Sequence, residues 1–189
     1  MKNNNETTAF LTLDLQAGIF AFAPNALEII PQAANAVEFA RSSGAHLIHV
    51  GLGFAPGHPE ISDLQNAFQR VKTNNLFVKG SESAQFHEAV YRPGDLVVYK
   101  HRVGGFTENE LHLILRARKI EHLVLMGIAT SGIVLSTLRR AYDLDYRCTV
   151  LKDACYDNDA EVHRVLTEKV FPMQADVVTV DEYIRAQGN

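Results

Sequence analysis

A chain of 189 residues suits one domain over 1–189, and its 47% hydrophobic and 21% charged residues suit a packed core rather than a disordered or fibrous chain. A net charge of -4 gives no reason to expect nucleic acid or an anionic membrane surface as partner, and no apolar run reaches membrane-spanning length. Two cysteines are too few for a disulfide framework; the polar run Met1 to Thr8 leads straight into a strand, unlike a signal peptide, so a cytoplasmic protein is expected.

In chain order, Thr8 to Asp14 reads as a first strand ending in a carboxylate. Asn25 to Gly44 reads as a helix, with Ala33, Val37 and Ala40 at helical spacing and Gly44 as its stop. Ala45 to Val50 is a second strand, and Gly51 to Gly57 a loop. A short helix is expected near Asp63 to Arg70 and a second helical piece over Glu82 to Tyr91, before the turn Arg92-Pro93-Gly94. Asp95 to Lys100 is a third strand. Thr107-Glu-Asn-Glu110 has the form of a capping box opening a helix to about Arg118. His122 to Met126 is a fourth strand, followed by a Gly-containing turn and a helix to about Asp145. Arg147 to Lys152 is a fifth strand, which places Cys148 in the core and Cys155 beyond the strand end. Asn158 to Glu161 has a second capping pattern, for a helix that stops at Pro172. Ala175 to Val180 is a sixth strand and Asp181 to Gln187 a final helix.

Strand and helix thus alternate about six times. That alternation demands parallel strands, right-handed crossovers and helices on both faces: a three-layer α/β/α, Rossmann-like domain with a mostly parallel sheet. In such a sheet ligands bind at the carboxyl edge of the strands. Two charged residues close apolar strands there. Asp14, buried, would have a raised pKa and could move protons; the same placement suits an Asp capping the next turn. Lys100 could stabilise a developing anion beside it, or be a surface Lys at a strand end. The eight histidines show no ligand spacing, so no metal is expected. Gly51-Leu-Gly53 lacks the third glycine of a dinucleotide loop, so no nucleotide cofactor is expected either.

Gly127-Ile-Ala-Thr-Ser-Gly-Ile-Val-Leu-Ser-Thr137 resembles the nucleophile turn of the isochorismatase-like hydrolases, also called cysteine hydrolases. Leu13-Asp-Leu-Gln-Ala-Gly-Ile-Phe20 is similar to that family's opening Asp-Met-Gln motif, and Tyr99 to Phe106 to its lysine segment. The resemblance runs from Phe10 to about Val180. It implies a six-stranded sheet of order 3-2-1-4-5-6, a homodimer and a small-molecule substrate. It implies catalytic roles for Asp14 and Lys100, a cis Ile128–Ala129 bond, oxyanion-holding amides at Ala129 and Ile133, and a pocket with Phe20, Phe106, Thr130 and Ser131. Where most of the family has its catalytic Cys, this chain has Ile133. Isoleucine has no lone pair to attack with, so acyl-enzyme chemistry does not follow from the resemblance. The remaining routes are Thr130 or Ser131 with a base in contact, Cys155, acid–base hydrolysis through Asp14 and Lys100 as in true isochorismatases, or a family member that only binds a small ligand.

Overall fold

The computed structural model describes residues 4–188; Met1 to Asn3, part of the polar opening run, lie outside them. Strand β1 (Thr8–Leu13) is buried on both faces. A helix α1 (Ala17–Phe22) and a 3-10 segment (Pro24–Ile29) lead into α2 (Ile30–Ser43), which Gly44 ends in the left-handed conformation at φ 79°. Then come β2 (His46–Leu52), α3 (Asn66–Thr73), β3 (Leu96–Lys100), α4 (Leu111–Ala117), β4 (His122–Ile128), α5 (Leu135–Asp143), β5 (Arg147–Tyr156), α6 (Ala160–Val165), β6 (Asp176–Val178) and α7 (Val180–Gln187). The six strands form one sheet of order β3-β2-β1-β4-β5-β6, and every neighbouring pair is parallel. This is the order the resemblance implied.

Side chains alternate across a strand, so the sheet feeds two apolar layers. Ala9, Leu11 and Leu13 pack with Leu111, Leu115, Val134 and Leu138 on one side. Phe10 packs with Ala33, Val37, Val124, Met126 and Tyr183 on the other. A smaller cluster of Phe54, Phe68 and Phe77 sits under the long β2–β3 connection. The second side also contains a polar ladder. Thr12 Oγ1 shares a 2.6 Å hydrogen bond with His49 Nδ1, His49 Nε2 lies 3.2 Å from Asp95 Oδ2, and Arg41 binds the same oxygen at 2.6 Å. It ties β1, β2, α2 and the turn before β3 together.

The elements depart from the sequence reading in several places: β2 takes in Gly51 and Leu52, expected as loop, and Val180, expected in the sixth strand, opens α7. Helix α1 follows Asp14 without a sequence signal. The helical piece expected over Glu82 to Tyr91 is a 3-10 turn of Glu82–Ala84, after which Phe86 pairs in antiparallel fashion with Gln16. The Thr107–Glu110 capping box does not form; Glu108 takes φ 52°, and Asn109 Oδ1 accepts from the Leu111 N–H instead. Asp159 rather than Asn158 caps α6, accepting from the N–H groups of Glu161 and Val162. Strand β5 runs on to Tyr156, which puts Cys155 inside it. Among the described residues no helix is long and apolar enough to cross a membrane.

Candidate active site

Asp14 follows the last residue of β1, and Lys100 is the last of β3, with β2 between them. The Asp14 N–H donates to Val50 O at 2.8 Å, and its backbone turns sharply, at φ 58°. This conformation is uncommon outside glycine, although Asp tolerates it better than most residues. The two side chains meet across the end of β2: Lys100 Nζ lies 2.9 Å from Asp14 Oδ2, with the side chains 2% and 8% exposed. Lys100 Nζ also donates to Arg102 O at 3.0 Å. Asp14 Oδ1 is buried and, among the described residues, has no hydrogen-bond partner. Burial pushes the Asp14 carboxyl above its ordinary value, and the charge and hydrogen bond of Lys100 pull against that rise. The result is a carboxyl group with one oxygen anchored by a cation and the other unsatisfied, an arrangement able to accept or give a proton.

The turn after β4 stands next to Asp14, since Leu13 pairs with Gly127. Only glycine fits at 127: its φ is 146°, and a Cβ there would lie 2.0 Å from Leu13 O. The Ile128–Ala129 bond is cis, as the resemblance implied. Residues Thr130–Val134 form a wide π-type turn whose Gly132 and Val134 N–H groups donate to Ala129 O. The segment after β5 holds the outer side of this turn. His163 Nδ1 lies 2.9 Å from Thr130 Oγ1, and Asp157 Oδ2 accepts from the Ser131 N–H at 2.8 Å. Burial pushes the His163 imidazole down, which favours its neutral form.

Ile133 is 2% exposed and belongs to the same apolar layer as Leu13, Leu125 and Cys155. Cys155 shares that layer, and burial pushes its thiol up to about 12, so it is a neutral core thiol at physiological pH. Phe106 packs against the same layer, stacked on Tyr146 at 6.2 Å. Phe20 lies in the layer on the opposite side of the sheet, edge-on to His87 at 5.5 Å. Thr130 is fully buried, Ser131 exposed and Ala129 half-buried. The fold therefore joins Asp14 to Lys100 directly and sets Ile133 and Phe106 on one side of the sheet, apart from Phe20.

Sequence reasoning missed three groups near this edge. Gln16 is a buried hub: its Nε2 donates to Leu52 O and Ala84 O, and its Oε1 accepts from the Leu52 N–H. His163 and Asp157 brace the turn. Glu60 and His101 approach to 3.8 Å, while the Glu60 backbone carbonyl accepts from Arg102. Gln16 stands in the quoted opening motif, so its signal was available; the other contacts span 26 to 42 residues and leave no local pattern. No three His, Cys, Asp or Glu side chains among the described residues are placed to hold a metal ion.

A family model of the isochorismatase domain matches residues 8–182, a span holding Asp14, Lys100 and the whole β4 turn. The chain belongs to the isochorismatase family. It is 31% identical, over 97% of both chains, to YecD, an uncharacterized isochorismatase family protein of Escherichia coli O157:H7. It is 32% identical to a ureidoacrylate amidohydrolase, RutB, of Caulobacter segnis, covering 82% of this chain and 75% of the relative. Among solved structures, an isochorismatase family protein from Burkholderia thailandensis superposes with a TM-score of 0.85 at 26% identity, covering 98% of this chain and 97% of the other. Isochorismatase-family hydrolases thus share the architecture that carries the Asp14–Lys100 edge in this chain.

Proposed function

We propose that this member of the isochorismatase family hydrolyses a small molecule without the thiol nucleophile customary in the family. Asp14 acts as the proton shuttle and Lys100 as its electrostatic partner, while the turn amides of Ala129 and Ile133 hold developing negative charge. Water is then the attacking group. Its oxygen bonds to the polarised carbon, its proton passes to Asp14 Oδ1, and Asp14 returns that proton to the leaving group. A small amide or ester fits this scheme, and the amide class draws support from the ureidoacrylate amidohydrolase relative. A vinyl ether would instead take a proton on carbon from a protonated Asp14, after which water adds and the alcohol leaves with the C–O bond electrons and a proton. The observation that carries the reading is the buried, unpartnered Asp14 Oδ1 beside an anchored Oδ2. The reading includes one domain over 1–189, a cytoplasmic location and a homodimer.

One observation favours a second reading, in which the chain binds a small ligand without turning it over. Ile133, which the sequence resemblance sets at the position of the family's Cys, is almost sealed, so hydrocarbon fills space next to the turn. A panel of small amides, esters and vinyl ethers, assayed against the wild type and Asp14→Ala, separates the two. Hydrolysis that Asp14→Ala abolishes supports the first. Ligand-induced thermal stabilisation without turnover supports the second. Turnover untouched by Asp14→Ala would sink the proposed mechanism.

A further inference from the structure

We infer that the cleft beneath residues 80–93, on the sheet face away from Lys100, binds a small organic cation of the methylated-ammonium class. The inference stands apart from the hydrolase reading and starts from Gly51-Leu-Gly53, a motif the proposed site does not use. These glycines sit on and just after β2 and seat two aromatic rings. A Cβ on Gly51 would lie 2.7 Å from the Phe86 ring, and one on Gly53 would lie 2.1 Å from the Tyr99 ring. The rings therefore pack closely against bare backbone, and with Tyr91 they wall a cleft of about 350 Å³. Phe86 and Tyr91 stand 5.9 Å apart, tilted by 31°.

The lining of this cleft carries charge of one sign. Among the described residues lining it, Glu88 alone carries a charge. Aromatic walls and a carboxylate attract a cation, and the apolar lining accepts its N-methyl groups. The molecule already shows the affinity of one of these rings: the Lys79 ammonium lies 5.3 Å from the Tyr99 centroid. Neither the Tyr91 nor the Tyr99 hydroxyl has a hydrogen-bond partner among the described residues, so both remain available to a polar tail on the ligand. The cleft wall is also fixed in advance. Gln85 O accepts from the Ala17 N–H, Leu15 O accepts from the His87 N–H, and Gln16 Nε2 donates to Ala84 O, so binding need not order a loose loop.

The test is a titration with choline, set against its neutral carbon isostere 3,3-dimethylbutan-1-ol. Tyrosine emission is a usable signal because the chain has six Tyr and no Trp; ligand-observed NMR gives an independent reading. Choline should bind saturably and the isostere at least about tenfold more weakly. Glu88→Gln changes an exposed residue, so folding is not at risk, and should weaken choline roughly threefold while flattening its salt dependence. Tyr99→Leu should abolish binding. Lys79→Met, which removes the competing internal cation, should tighten it. Equal binding of the two probes would reduce the cleft to an apolar crevice and overturn the inference. So would saturation by neither, or sedimentation showing that a second copy of the chain covers the cleft in a dimer that Tyr99→Leu splits.

Discussion

Replacing Lys100 with Met keeps an apolar stem of similar length and removes the cation bound to Asp14. At 2.9 Å the pair attracts with roughly 6 kcal/mol at an effective dielectric near 20. Much of that offsets the cost of taking both charges out of water, so the loss expected from removing one partner of a buried pair is about 3–5 kcal/mol. The loss should depend on pH. Asp14 has a folded pKa above its unfolded value of 3.8, and the Lys100 charge and hydrogen bond are the main influences opposing that rise. Without them the folded value climbs further. A carboxyl raised on folding binds its proton more tightly in the native state, so stability is lost as pH rises from the unfolded value through the folded one. The deficit of Lys100→Met should thus be small near pH 4 and grow toward neutrality. Urea unfolding followed by circular dichroism between pH 4 and 8 measures it, and Asp14→Asn/Lys100→Met should recover most of the loss. A deficit under about 1 kcal/mol at pH 7, or one that does not change with pH, would refute a buried ion pair at this edge.

Ile133→Cys should cost about 1–2 kcal/mol for lost packing, yet give a thiol that iodoacetamide labels faster than Cys148 or Cys155, both of which burial pushes up to about 12. Labelling no faster at position 133 would mean that the turn amides do not acidify a group there. Burial lowers the His122 pKa to about 4 from the ordinary imidazole value of 6.5. The native state therefore resists protonation, and stability should fall as pH drops from 6.5 toward 4, by about 2 kcal/mol at pH 5 from this group. His122→Gln keeps a partner for Thr149 and should flatten that part of the stability–pH curve; an unchanged slope would point to other histidines. Gly127→Ala should cost more than about 4 kcal/mol or prevent folding, because its methyl meets Leu13 O; a mild effect in thermal melts would mean that β1 and β4 can separate locally.

The sequence by itself determined the layers. Apolar runs such as Leu123-Val-Leu-Met126, alternating with helical spacing, admit few arrangements besides a parallel sheet covered on both faces, because burial along a strand or a helix is a local property of the pattern. Gly44 as a helix stop and the strand-ending places of Asp14 and Lys100 were legible for the same reason. The strand order and the cis bond came from the resemblance, since nothing in the periodicity chooses a neighbour for each strand. Competing local partners misled the reading at Thr107 to Glu110, where Asn109 captures the cap, and at Cys155, where β5 outlasts its apolar run.

Only the tertiary structure decided how these residues work together. Asp14 and Lys100 are 86 positions apart in the numbering, and their contact exists because a third strand lies between them at the right register and Asp14 turns its backbone to reach across it. The unsatisfied Asp14 Oδ1, the bracing of the turn by His163 and Asp157, and the placing of Phe20 on the far side of the sheet are likewise products of packing between distant segments. A side chain's partners across the sheet depend on which strands become neighbours and at what register, and that choice is made by the whole chain at once.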